Sequence, residues 1–278
     1  MGRIFSPNKV DLLITTRCTY NCDHCFADKT IYPELEYYQW INIIEKLHNY
    51  GTKEIILSGG EPTIHPDLKK LLMFSKGLDI KTTLSTNANY SLDKYRELLP
   101  YVDEMGISLD AVNNETNIKI GRGSNQIQKT VELIKEIQTN FTNTEVTLRT
   151  VITSINSTEV AKIPSLFDKK NLEWKRIKWK VYEYLPVWRY DNEYTDVLET
   201  DLRPVLEEIY HNPNLEFFPI RYREPYMIIL PNGNVQITDV IDDRLVEEEI
   251  GLITDNGIQT ILEKVRKLQT EMPPVRIS

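Results

Sequence analysis

Three cysteines, Cys18, Cys22 and Cys25, lie in the run RCTYNCDHC, and the chain of 278 residues contains no other. Thiolates at C-x-x-x-C-x-x-C spacing can ligate three irons of a [4Fe–4S] cube and leave the fourth iron bare. A small molecule can coordinate there and receive an electron. The same thiolates with His24 could instead hold zinc, although structural zinc sites usually take their ligands as two separated pairs. A disulfide framework does not suit an odd cysteine count in a chain of this size. A second group is Ser58-Gly59-Gly60-Glu61-Pro62. Its two glycines permit close backbone approach to a ligand, Pro62 stiffens the exit, and Glu61 adds an acceptor. Taken alone, that run is an ordinary turn.

Positioning these groups falls to strand-like runs that alternate with amphipathic stretches. The pattern predicts strands at Val10–Thr15, Glu54–Ser58, Lys81–Ser85, Glu104–Leu109, Glu145–Ile152 and Ile177–Tyr182. It predicts helices at Glu34–Tyr50, Pro66–Lys76, Leu92–Leu99, Asn125–Asn140 and Thr158–Lys170. Such alternation argues for an α/β fold with a parallel sheet and right-handed crossovers, either flat or curled into a partial barrel. Both chemical motifs then fall beyond the carboxyl ends of strands, where ligands bind in these architectures. After Pro186 the pattern changes to a helix at Asp201–His211, a strand at Leu215–Ile220, a hairpin from Tyr226 to Thr238 turning at Pro231-Asn232-Gly233, and a helix at Ile258–Leu268. Residues 1–185 are expected to form the barrel, and residues 186–278 an extension that covers it.

The hydrophobic and charged shares, 41% and 27%, are ordinary for a globular protein. No apolar stretch is long enough to span a bilayer, and Met1–Asn8 lacks signal-peptide character. Thiols that must stay reduced to hold iron point to the cytoplasm. A formal charge of −8 opposes general adhesion to nucleic acid or anionic membrane, so an anionic ligand would need a local basic pocket.

Cys18, Cys22 and Cys25, taken with Gly59-Gly60-Glu61-Pro62 at the end of the next strand, resemble the radical S-adenosylmethionine (radical SAM) enzymes. The resemblance implies a partial (β/α)6 barrel and a cluster whose fourth iron is chelated by SAM. Reductive cleavage of SAM would then yield a radical that abstracts hydrogen from the substrate. It also implies an electron donor such as flavodoxin or ferredoxin. Gly59, Gly60, Glu61 and Pro62 would form the SAM cradle, with Gly60 and Glu61 on its amino group. His24 stands beside the adenine, where the family usually has an aromatic residue. Thr86, Asn87, Ser108 and Asp110 match ribose- and carboxylate-binding positions, and Arg122 is the candidate for the SAM carboxylate, which a guanidinium grips bidentately. With no further cysteine, a cysteine-bound auxiliary cluster and a thiol hydrogen donor are excluded.

In Arg176-Ile177-Lys178-Trp179-Lys180-Val181 the cations share one face of a strand and the apolar residues the other; Thr147 and Arg149 share the corresponding face of the preceding strand. Cations directed into a barrel lumen require an anionic partner. A narrower likeness, through Ser108, residues 120–123, residues 179–181 and residues 225–230, is to viperin-like enzymes, which dehydrate nucleoside triphosphates to 3′-deoxy-3′,4′-didehydro products. It implies that Arg149, Lys178 and Lys180 clasp the triphosphate. Tyr226 would then lie near the ribose and return a hydrogen atom. Two positions depart from the pattern: Glu54 replaces a lysine and Asp11 an asparagine. Acidic groups repel a triphosphate unless a metal intervenes, so the alternatives are a radical SAM enzyme acting on a peptide or small metabolite, and a zinc-held binding module.

Overall fold

The computed structural model describes residues 8–25, 27, 30–184, 205–207, 214–218, 226–241, 244–253, 260–261 and 263–264. Six strands, β1 (Lys9–Thr15), β2 (Glu54–Gly59), β3 (Lys81–Thr86), β4 (Glu104–Ser108), β5 (Glu145–Ile152) and β6 (Ile177–Glu183), lie side by side in chain order and parallel. The chain crosses between them through α1 (Tyr37–Tyr50), α2 (Leu68–Gly77), α3 (Leu92–Leu98), α4 (Asn114–Lys119), α5 (Gln126–Asn140), α6 (Ser157–Val160) and α7 (Ile163–Asp168).

Alternation along each strand explains why the helices cover one face. Val10, Leu12, Ile14, Ile55, Leu57, Leu84, Met105, Ile107, Leu148, Trp179 and Val181 point into one apolar core with Trp40, Ile44 and Leu47 of α1 and Leu71 of α2. The opposite, lumenal face is polar. Lys178 and Lys180 lie there as expected, while Ile177, Trp179 and Val181 are buried among the helices. Arg176 departs from that row. It sits in a 3₁₀ turn before β6 and donates to the carbonyls of Gln138 and Thr142.

Local chemistry sets the helix limits. The first helix begins at Tyr37 rather than Glu34, because Glu36 is its N-cap in a reciprocal box with Gln39. Leu35 meanwhile donates its amide to Pro231 and Glu34 turns back to Arg17. The single helix expected at Thr158–Lys170 is divided into α6 and α7. Pro164 has no N–H to give the carbonyl of Val160. Helix α4 was not anticipated; Asn113 caps it by accepting from the Thr116 amide (2.9 Å).

The later strands extend the sheet at both edges. Strand β7 (Leu215–Phe218) pairs parallel with β6, and β8 (Tyr226–Ile229) pairs parallel with β1. Strands β9 (Asn234–Ile241) and β10 (Arg244–Leu252) continue antiparallel beyond β8. The order β10-β9-β8-β1-β2-β3-β4-β5-β6-β7 leaves an open sheet. The Pro231-Asn232-Gly233 hairpin stands as expected, with Asn232 Oδ1 accepting from the Asn234 amide (3.0 Å). Of the helices expected at Asp201–His211 and Ile258–Leu268, residues 205–207, 260–261 and 263–264 are helical and the rest lie outside the described residues.

At the amino-terminal end of the strands, ion pairs join lumenal side chains of neighbouring strands: Lys9–Glu54 (2.6 Å), Lys81–Glu104 (3.0 Å) and Lys178–Glu145 (3.0 Å). Burial pushes the Glu104 carboxyl upward. The bonds from Lys81 and Thr147 outweigh it and hold the group down at about 2. A carboxyl with a depressed folded-state pKa stabilises the fold above its unfolded value near 4.5, and that contribution is lost as pH falls toward 2. Chemical denaturation of Glu104→Gln should therefore show a loss of about 2 kcal/mol at pH 7 that falls to less than half of that by pH 3. An equal loss at both pH values would remove the carboxylate from this account.

Candidate functional site

The carboxyl ends of β1 to β4 converge, and what they bring together is mostly backbone. The chain leaves β1 at Thr15 and runs through the cysteines. There it is held against the Gly59-Gly60 turn that leaves β2. Gly60 donates its amide to Thr15 O and Glu61 to Arg17 O, both at 2.8 Å, so the parallel ladder continues onto the cysteine loop. A Cβ on Gly59 would lie 2.2 Å from Thr15 O, and one on Gly60 would lie 2.3 Å from Arg17 O. Only glycine permits this approach. On its outer side the loop is tied down by Arg17, which bonds both oxygens of Glu34 (3.0 and 2.9 Å), and by Thr15, which donates to Glu34 Oε1 (2.5 Å). Glu34 was not singled out as a site residue from sequence, where it reads as the first residue of the helix expected at Glu34–Tyr50.

Glu61 is fully buried and works inward. Its Oε1 accepts from the Thr63 amide (3.1 Å), the Thr63 hydroxyl (2.6 Å) and the Thr86 hydroxyl (2.9 Å), while Oε2 accepts from the Asn87 amide (2.7 Å). Burial raises this carboxyl, and the four donors oppose that. Thr86, which also shares a hydrogen bond with Tyr95 (2.8 Å), thus stands behind Glu61. The side chains of Glu61 and Thr86, both expected to touch a ligand, join the ends of β2 and β3. Asn87 does reach the loop: its Nδ2 lies 3.6 Å from Cys18 Sγ and 3.2 Å from Thr19 Oγ1.

Asp110, Arg122 and His24 form one buried ionic group. Arg122 places Nε 2.7 Å and Nη2 2.5 Å from Asp110 Oδ2, and His24 Nε2 lies 3.2 Å from the same oxygen. The other oxygen, Oδ1, accepts from the Val151 amide (2.8 Å). Burial alone would raise Asp110, but Arg122 and His24 hold it well below the usual carboxylate range. Asp110 is therefore engaged within the protein, and it holds Arg122 within electrostatic reach of Cys22 and Cys25. Ser108 ends β4 on the lumenal face, in register with Arg149. Gln126, missed from sequence, is fully buried at the start of α5. It donates to the carbonyls of Asn87 (3.2 Å) and Ser108 (2.7 Å), setting the spacing of the β3 and β4 ends.

The three thiols lie near enough to influence one another's ionisation. Burial pushes the Cys22 thiol up to about 11, so any metal bound there must displace its proton. Cys18 Sγ accepts from the Tyr20 amide (3.4 Å) as well as from Asn87. Sulfurs on an irregular loop with N–H donors aimed at them suit an iron–sulfur cluster, in which each sulfur meets its own iron. Zinc draws its donors to a single point, and among the described residues no three His, Cys, Asp or Glu side chains could hold one ion.

Of the expected substrate residues, Arg149 and Lys180 share a lumenal tier in neighbouring strands. Arg149 Nη1 donates to Ser85 (2.7 Å), and Lys180 lies 3.9 Å from Glu216 and over the Phe218 ring. Lys178 is nearer the amino-terminal end, with its ammonium on Glu145. Tyr226 belongs to β8 and packs with Leu13, Ile228 and Leu230 on the lumenal side of the sheet.

Residues 12–163 match the family model described as the Radical SAM superfamily. An S-adenosylmethionine-dependent nucleotide dehydratase of Flammeovirga pacifica is 32% identical over 213 residues, 71% of each chain. The protein of that description from Selenomonas ruminantium is 30% identical over 183 residues, 63% of this chain and 66% of its own. Among solved structures, anSMEcpe with bound AdoMet superposes with a TM-score of 0.71 at 16% identity, covering 95% of this chain and 84% of the other. The sheet order and the thiol loop against its glycine turn agree with these matches, and the chain belongs to the radical SAM superfamily and, within it, to the S-adenosylmethionine-dependent nucleotide dehydratase family.

Proposed function

We propose that this protein dehydrates a ribonucleotide to a 3′-deoxy-3′,4′-didehydro product, with a [4Fe–4S] cluster on Cys18, Cys22 and Cys25 and with SAM beside it. When bound, cluster and SAM supply reductive cleavage of the sulfonium and abstraction of a substrate hydrogen atom. The observation that carries the nucleotide reading is the pair Arg149 and Lys180 on the polar lumen, in a chain similar to nucleotide dehydratases. A guanidinium and an ammonium on adjacent strands offer an anionic tail both fork-like and point-like charge.

The chain's own residues do the positioning. Gly59 and Gly60 bring the backbone close to the thiol loop, and Glu61 fixes that turn to β3 through Thr86 and Asn87. The Gly60 edge is then available for the SAM amino group. Asn87 and the Tyr20 amide direct donors at Cys18, which stabilises its thiolate form. Asp110 holds Arg122 for the SAM carboxylate, and Ser108 lies on the same tier as the substrate cations. Tyr226, packed against the cluster of Leu13, Ile228 and Leu230, is the candidate to return a hydrogen atom. An electron donor of the flavodoxin or ferredoxin type would meet the exposed Cys18 side of the loop.

A Gly60→Ala variant should fold, by circular dichroism, yet retain less than a third of the wild-type iron after anaerobic reconstitution, because its methyl group pushes Arg17 O away. Full iron content would remove the glycine approach from the account. Reduced enzyme with SAM should release 5′-deoxyadenosine strongly with one of the four ribonucleotides, offered as mono-, di- and triphosphates. No response to any would leave the peptide or metabolite alternative. Arg149→Ala should raise the KM for that nucleotide at least tenfold, whereas Lys178→Ala, whose ammonium is already on Glu145, should change it less than threefold. The reverse order would relocate the anion site.

A further inference from the structure

Gly106 stands where a glycine is unfavourable. It lies buried in the middle of β4, with strands on both sides, and a glycine there weakens the strand and packs nothing of its own. No positive φ demands it, so its use must be space. The space is taken by Arg149. A Cβ at position 106 would lie 2.7 Å from Arg149 Cζ, 2.8 Å from Nη2 and 2.9 Å from Nε. Three distances so nearly equal put the flat face of the guanidinium, rather than an edge, on the glycine.

The strand register shows why this position must be bare. Arg149 of β5 pairs with Ser108, whereas Gly106 is flanked by Ser85 of β3 and Thr147 of β5. The Arg149 side chain therefore starts beside Ser108 and leans back across the whole width of β4. On the far side its Nη1 donates to the Ser85 hydroxyl (2.7 Å). Neighbouring strands lie about 4.8 Å apart, so a side chain that crosses one strand to reach the next must run nearly flat along the backbone. Any side chain at 106 would lift it off.

With Nη1 held by Ser85 and one face held by Gly106, the direction of the remaining edge, Nε with Nη2, is fixed. Nε is buried and has no hydrogen-bond partner among the described residues. Asp11, a carboxylate that feels the Arg149 charge, accepts its hydrogen bond from Ser58 instead. Arg122 supplies the contrast, because its Nε and Nη2 are both engaged on Asp110. Arg149 has the same fork without the carboxylate, and a buried donor left in this way calls for an acceptor. We infer that Gly106 and Ser85 are positioning residues for the substrate: together they lay Arg149 flat on β4 and turn its Nε–Nη2 edge to a phosphate of the nucleotide. Phosphate oxygens fit that edge bidentately and give the buried Nε its acceptor. The inference rests on the nucleotide reading given above and adds the two residues that aim its guanidinium. Both act through Arg149 rather than on the anion.

The test is equilibrium dialysis of the reconstituted, SAM-bound enzyme without reductant, so that nothing turns over. Radiolabelled mono-, di- and triphosphates of adenosine, cytidine, guanosine and uridine are offered, and the one that binds tightest is carried through the variants. Gly106→Ala should weaken it at least tenfold while iron content and SAM retention stay within twofold of wild type. In an Arg149→Ala background the same methyl group has no guanidinium to displace, and it should change the affinity less than twofold. Ser85→Ala should cost at least threefold alone and less than twofold in that background, and it decides the matter if Gly106→Ala does not fold. Wild-type affinity in Gly106→Ala, or a loss that persists undiminished without Arg149, overturns the inference and leaves the nucleotide reading intact. An Arg149→Ala enzyme that binds as tightly as wild type, or retention of no nucleotide at all, overturns both.

Discussion

The whole arrangement depends on one close approach of backbone to backbone, that of Gly59 and Gly60 to the carbonyls of Thr15, Thr16 and Arg17. Through it the loop that carries the thiols becomes a continuation of the parallel ladder between β1 and β2, with amide bonds at 2.8 Å from Gly60 and Glu61. An irregular loop ordinarily has the freedom to move. This one is pinned on its inner edge by glycine and on its outer edge by Glu34.

Glu61 transmits that rigidity. A buried carboxylate with four donors from Thr63, Thr86 and Asn87 links the exit of β2 to the exit of β3, and Gln126 links β3 to β4 in turn. Asp110 closes the series by joining Arg122, His24 and the Val151 amide. Four strand ends are thus held in register by these side chains. Glu61, Thr86 and Asp110, which resemble ligand contacts by position, serve as connectors.

The polar lumen follows a different rule. Among the described residues its cations are mostly paired, and pairing sets how free each one is. Lys178 and Lys180 are indistinguishable in the run Lys-Trp-Lys, yet the first meets Glu145 at 3.0 Å and the second only approaches Glu216 at 3.9 Å. The same holds for the acidic departures: Glu54 is held by Lys9 and Thr83, and Asp11 accepts from Ser58.

Sequence alone determined whatever depends on spacing along the chain. The trio Cys18, Cys22 and Cys25, the Gly-Gly-Glu-Pro turn, the six parallel strands with their main helices, and the alternation that turns Trp179 inward and Lys180 outward were all legible, because each is set by neighbours a few residues apart. Tertiary structure decided what depends on partners far away in the chain. The parallel pairing of β8 with β1, the acidic strand β10 formed on β9, and the pairing of Asp110 with Arg122 and His24 could not be read locally. The capped helix α4 and the break at Pro164 did carry local signals, in Asn113 and the proline itself. Charge partners are the clearest case, since a lysine's role follows from the carboxylate that faces it, and that is a property of the folded sheet.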